Sequence, residues 1–189
     1  ISFLFTFYLV PFCVQIAKRF KILDLPDGRI KIHKSPTPYL GGIAIYIGFV
    51  LTLALILPFD GRLSLLILGS TILLIVGLID DLIVVKPYQK LFGQIIAAFC
   101  YLKTAVYIKE LFFLNHMVYL PLALFWIILV VNAFNLVDVM DGLATTIAIY
   151  GTLGFLLVSL LSANTAISVL LAALLGSLCA YFYYNKPVA

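Results

Sequence analysis

The sequence predicts an all-α polytopic membrane protein with about seven transmembrane helices, its polar loops gathered on the cytoplasmic face. Three observations lead there. Of 189 residues, 65% are hydrophobic and 11% charged, with mean hydropathy +1.21. A soluble domain is about half apolar and a quarter charged, so one core of this size cannot hide the excess, and part of the solvent must be lipid. The apolar residues fall into long runs divided by short polar stretches, and the charged residues concentrate in a few of those stretches.

A helix needs about 20 apolar residues to cross the hydrocarbon core, somewhat fewer where the bilayer thins. The stretches 1–17, 40–57, 64–79, 91–108, 117–134, 144–161 and 166–184 qualify. Lys103 interrupts the fourth, and its side chain can snorkel to an interface. Pro11 and Pro121 are tolerable in membrane helices, where neighbouring groups satisfy the freed carbonyls. Nothing divides residues 1–189 into more than a single transmembrane domain. Cys13, Cys100 and Cys179 lie inside apolar runs without paired spacing and read as small buried hydrophobes.

Alternate crossings place residues 18–39, 80–90, 135–143 and the tail from Asn185 on one side. That side collects nine of the 12 Lys and Arg: Lys18, Arg19, Lys21, Arg29, Lys31, Lys34, Lys86, Lys90 and Lys186. The positive-inside rule makes it cytoplasmic. It also collects six of the 8 acids: Asp24, Asp27, Asp80, Asp81, Asp138 and Asp141. A net charge of +4 clustered in loops suits a membrane surface or a phosphate ligand and no nucleic acid.

Three constellations on this face carry chemistry. Asp80 and Asp81, in Gly77-Leu-Ile-Asp-Asp, repel each other at a membrane boundary and call for a proton, water or a cation. A hard divalent cation such as Mg²⁺ prefers carboxylates together with substrate phosphates. Lys90, nine residues on, is suited to phosphate or to a plain juxtamembrane anchor. Asn132, Asn135, Asp138 and Asp141, followed by Gly142, extend directly from an apolar run. If helical, the first three share one side, and a capped helix end accounts for two of these polar residues but not four. The basic loop Pro26–Gly42 holds Arg29, His33, Pro36-Thr37-Pro38 and Gly41-Gly42; its prolines rigidify it, and its glycines allow close backbone approach.

Taken in order and on one face, these residues resemble the polyprenyl-phosphate N-acetylhexosamine-1-phosphate transferases, glycosyltransferase family 4, in particular the undecaprenyl-phosphate N-acetylglucosamine-1-phosphate transferase branch. The family's first loop pattern is matched by Asp24, Pro26, Arg29, His33, Pro36, Pro38, Gly41 and Gly42, with the Arg-to-His spacing one residue longer than the commoner form. Its Asp-Asp pair is matched by Asp80 and Asp81, its phosphate-binding Lys by Lys90, and its Asn-x-x-Asn-x-x-Asp-x-x-Asp-Gly run by residues 132–142, with Val139 at a frequent glycine.

The resemblance implies a Mg²⁺-dependent enzyme of the bacterial plasma membrane that takes UDP-N-acetylhexosamine and undecaprenyl phosphate, releases UMP and initiates lipid-linked glycan synthesis. It implies catalytic roles for Asp80, Asp81 and Lys90, metal ligation by Asn135 and Asp81, and substrate binding by Asn132, Asp138, Asp141, Arg29 and His33. It leaves room for a homodimer. It also implies a fragment shortened at the C-terminus, because the family's remaining metal aspartate and a His/Arg-rich loop fall beyond Ala189, and a first residue Ile1 in place of Met points to an N-terminus shortened as well. Two rivals share some features. CDP-alcohol phosphotransferases have Asp-x-x-Asp-Gly, but Thr145-Thr146 stands near their Ala-Arg. A transporter would carry its acids near mid-membrane on broken helices rather than at one interface.

Overall fold

Each apolar stretch folds as a helix, because a chain in lipid must satisfy its backbone hydrogen bonds within the segment. The computed structural model describes residues 1–20, 22–24, 37–38, 40–83, 85–104, 116–138 and 142–186. Its helices are α1 (Ser2–Phe20), α2 (Gly41–Ile56), α3 (Gly61–Leu82), α4 (Pro87–Thr104), α5 (His116–Val137), α6 (Leu143–Leu161) and α7 (Thr165–Asn185). A two-residue antiparallel ladder, β1 (Leu23–Asp24) with β2 (Thr37–Pro38), closes the mouth of the first polar loop. The protein is all-α and polytopic, as the sequence predicts.

Among the described residues, five helices are long and apolar enough to cross a membrane: α1, α3, α5, α6 and α7. The other two fall short for different reasons. With 16 residues, α2 rises about 24 Å, less than the hydrocarbon thickness of about 30 Å. Helix α4 carries Gln89, Lys90, Gln94 and Lys103 among its 18 residues.

The described chain forms two compact units, Ile1–Pro58 with Val137–Ala189, and Phe59–Leu136. In the first, α6 and α7 form an antiparallel hairpin. Ser159 and Ser168 share a 2.9 Å hydrogen bond near its turn, and Asn185 Nδ2 donates to Thr145 Oγ1 at 3.2 Å near its open end. Helix α1 runs parallel to α7: Ser2 meets Ala173 and Ser177, and five residues on Phe7 meets Tyr183 and Tyr184. The end of α1 with Lys18 and Arg19, the start of α6 and the end of α7 therefore lie at one end of this unit. Small residues permit the approach, with Ala17, Ala44 and Ala180 fully buried and Gly48 lying against Thr6.

In the second unit α3 and α4 are an antiparallel pair. A Cβ on Gly93 would run into the Val76 side chain, and one on Gly69 would lie 3.2 Å from the Ala97 carbonyl. Ser70 and Tyr101 share a 3.1 Å hydrogen bond across the same seam. Packing of this kind, not a hydrophobic force, drives helix association in lipid.

Candidate functional site

The polar residues of the second unit are ordered by where its helices stop and start. Helix α3 runs on through both carboxylates, and the Ile83 N–H closes it on the Ile79 carbonyl at 2.8 Å. Asp80 and Asp81 thus occupy the last turn, where the negative end of the helix dipole disfavours them. A compensating cation comes from the next helix. Pro87 stands at the first position of α4, where its missing N–H costs nothing. Gln89 Oε1 accepts from the Lys86 N–H at 3.3 Å, half of a capping box. This start puts Lys90 in the first turn, facing back toward α3.

Lys90 Nζ donates to Asp80 Oδ2 at 2.6 Å and to Asn135 Oδ1 at 2.9 Å. Helix α5 continues to Val137, so Asn135 projects from its last turns. One turn deeper, the amides of Gln94 and Asn132 pair reciprocally. Asn132 Nδ2 donates to Gln94 Oε1 at 2.9 Å, and Gln94 Nε2 donates to Asn132 Oδ1 at 3.3 Å. Asn132 Nδ2 also donates to the Ile128 carbonyl at 2.8 Å, which ties the amide to its own helix. Three helix ends therefore converge on one ammonium, with an amide pair beneath it.

Lys90 and Asp80 are 19% and 24% exposed. In a partly buried ion pair the desolvation cost offsets much of the Coulomb gain, so the pair is weak evidence for a purely stabilising role. It does fix three groups that phosphate chemistry uses: a cation, a carboxylate and a neutral oxygen donor. Among the described residues no three His, Cys, Asp or Glu side chains converge as a metal site. Asp80 Oδ2 and Asn135 Oδ1 are nonetheless hard oxygens brought together, both accepting from the Lys90 ammonium. Such a pair fits Mg²⁺, which takes one or two protein ligands and fills its octahedron with water and substrate phosphates.

Of the residues singled out from sequence, Asp80, Lys90, Asn132 and Asn135 come together. Asp81 lies beside them in the last turn of α3, exposed. Asp138 follows α5 directly and is also exposed. Arg29, His33 and Asp141 lie outside the described residues. Gly142 adopts φ 75 at the start of α6, a left-handed conformation that favours glycine, and its carbonyl accepts from the Thr146 N–H and hydroxyl. Gln94 had no role assigned from sequence. Its signal was there: a polar residue one helical turn after Lys90, at the edge of an apolar run.

The fold and this cluster define a multi-pass helical membrane protein with a charged, amide-braced centre at the shared end of three helices. A profile of the glycosyl transferase family 4 matches residues 63–189, and the chain belongs to that family. It is 28% identical, over 98% of its length, to a Bacillus subtilis (strain 168) protein described as "Probable undecaprenyl-phosphate N-acetylglucosaminyl 1-phosphate transferase", of which it covers 54%. It is 28% identical to the phospho-N-acetylmuramoyl-pentapeptide-transferase of Limosilactobacillus reuteri (strain DSM 20016), over 98% of this chain and 65% of the relative. The corresponding protein of Thermoanaerobacter sp. (strain X514) is 30% identical over 88% of the chain and 57% of the relative. The chain spans about half to two thirds of the length of these curated relatives. No solved structure matches it.

Proposed function

We propose that this chain is the transmembrane domain of a sugar-1-phosphate transferase that moves N-acetylglucosamine-1-phosphate from UDP-N-acetylglucosamine to undecaprenyl phosphate. The observation that carries the reading is the Lys90 ammonium held between Asp80 and Asn135 in a member of glycosyl transferase family 4. A phosphate oxygen of the lipid forms a bond to the β-phosphorus of the UDP-sugar. The bond from that phosphorus to the oxygen bridging to the α-phosphorus breaks, and UMP leaves with that oxygen. The product is a polyprenyl pyrophosphoryl sugar.

Phosphoryl transfer of this kind rests on positioning and charge neutralisation. Lys90 supplies a fixed positive charge to the pyrophosphate oxygens. Asp80 and Asp81 orient the lipid phosphate, and Asp138 and Asp141 with Arg29 and His33 bind the nucleotide-sugar. Asp80 or Asp81 with Asn135 would hold Mg²⁺, which when bound neutralises the charge developing on the phosphate oxygens. Nine of the 12 basic residues fall on the loops of this face, which supports a cytoplasmic site in the bacterial plasma membrane.

The test is UMP release from UDP-N-acetylglucosamine by the full chain in membranes containing undecaprenyl phosphate. Release that requires both substrates is expected. Turnover of UDP-N-acetylmuramoyl-pentapeptide in its place would move the protein to the other branch of the family, and release of CMP from a CDP-alcohol would overturn the reading.

A further inference from the structure

Lys90 is a flexible four-carbon chain ending in a point charge, so its contacts with Asp80 and Asn135 do not by themselves fix how α4 stands against α5. Helices α3 and α4 pack closely, Gly69 against the Ala97 carbonyl and Gly93 against the Val76 side chain, whereas α4 and α5 are not such a pair and are linked through side chains. The short, planar link between them is the reciprocal Gln94–Asn132 amide pair. Lys90 and Gln94 are one turn apart on α4, and Asn135 and Asn132 one turn apart on α5, so the two contacts are successive rungs of an antiparallel ladder. In the lower rung Gln94 is buried, only 3% exposed, and Asn132 is half-buried. A buried amide that loses its partner is left with an unsatisfied donor and acceptor, a penalty that holds the pair in register.

We propose that Gln94 and Asn132 are positioning residues: their amide pair sets the rotation and register of α4 against α5 and thereby places the Lys90 ammonium between Asp80 and Asn135. The effect on turnover rests on the transferase reading above, while the placement of Lys90 does not.

The experiment uses the full chain in membranes and four proteins: wild type, Gln94→Asn, Asn132→Gln, and the double variant that exchanges the two amides and restores their combined length. Two quantities are read: kcat and KM for UDP-N-acetylglucosamine, and the rate at which N-hydroxysuccinimidyl acetate acetylates Lys90, with exposed Lys86 on the same segment as the control. Each single variant should lower kcat by about 10- to 100-fold, the scale of a 1 Å misplacement of a reacting group, and leave KM within about threefold. Each should also speed acetylation of Lys90 several-fold relative to Lys86, and the exchange should return both quantities toward wild type. Single variants with wild-type kcat and Lys90 acetylation would overturn the proposal, as would an exchange that recovers thermal stability but neither quantity. Where a single variant fails to accumulate, the exchange decides alone. If wild type releases no UMP yet the acetylation pattern holds, the positioning role stands and the transferase reading falls.

Discussion

Lys90 Nζ lies 2.6 Å from Asp80 Oδ2 although ten residues and a helix break separate them. The break makes the contact. Helix α3 ends at Leu82, the chain reverses, and Pro87 starts α4 so that its first turn faces the last turn of α3. A carboxylate disfavoured at a helix C-terminus is thereby matched with a cation whose own helix starts beside it.

Removing any member of the cluster should reduce turnover. In the full chain, Lys90→Gln, Asp80→Asn, Asp81→Asn and Asn135→Ala should each lower kcat by about 10²–10³, the usual cost of one electrostatic contact in a preorganised site. Asp60→Asn should leave turnover unchanged. Asp60 caps α3 by accepting from the Leu63 N–H at 2.7 Å, and Asn caps about as well. Kinetics at matched protein levels check both halves. Wild-type turnover in the Asn135 and Asp81 variants would remove the roles given to those residues.

The proposed Mg²⁺ ligation by Asp80 and Asn135 is open to chelation. Chelation with EDTA should stop UMP release and added Mg²⁺ restore it. Asp80→Asn should raise the Mg²⁺ concentration giving half-maximal rate, because a neutral amide ligand replaces a charged one. Full activity in EDTA with the metal content verified as nil would exclude the proposed ligands.

The α3–α4 seam should be sensitive to single methyl groups. Gly93→Ala places a Cβ into Val76, and overpacking of this kind costs about 1–3 kcal/mol. A lowered melting temperature in detergent is expected. Val76→Ala in the same molecule should recover most of the loss, since it removes the atoms in the way. Failure of that compensation would mean the two helices do not meet at these residues.

Topology is open to labelling in a background with Cys13, Cys100 and Cys179 replaced. Single cysteines at Arg19, Ile83 and Leu136 should react with an impermeant thiol reagent from the cytoplasmic side. Cysteines at Gly61 and Ala163 should react from the opposite side. The expectation comes from the loop charges. Labelling of the first three from different sides would dismantle a shared active face.

Much of this protein was determined by local sequence alone. Long apolar runs set the helices, because in lipid each segment must satisfy its own backbone. Asp80, Lys90 and Asn135 were legible as candidates because polar side chains at the end of an apolar run are expensive without a purpose. What the sequence left open were the last turns of the helices and the partners across them. Asp80 and Asp81 stood at the limit of an apolar run with nothing to say whether the helix included them; backbone closure at Ile83 decides it. That Lys90 pairs with Asp80, and that Gln94 rather than any charged residue engages Asn132, depends on the rotation of α4 against α3 and α5. The rotation of α4 against α3 is fixed by close contacts such as Gly93 on Val76, between residues on different helices. Hydropathy averages over a whole turn of helix, so it finds the helix and is blind to its azimuth; only packing between helices resolves which side chain meets which.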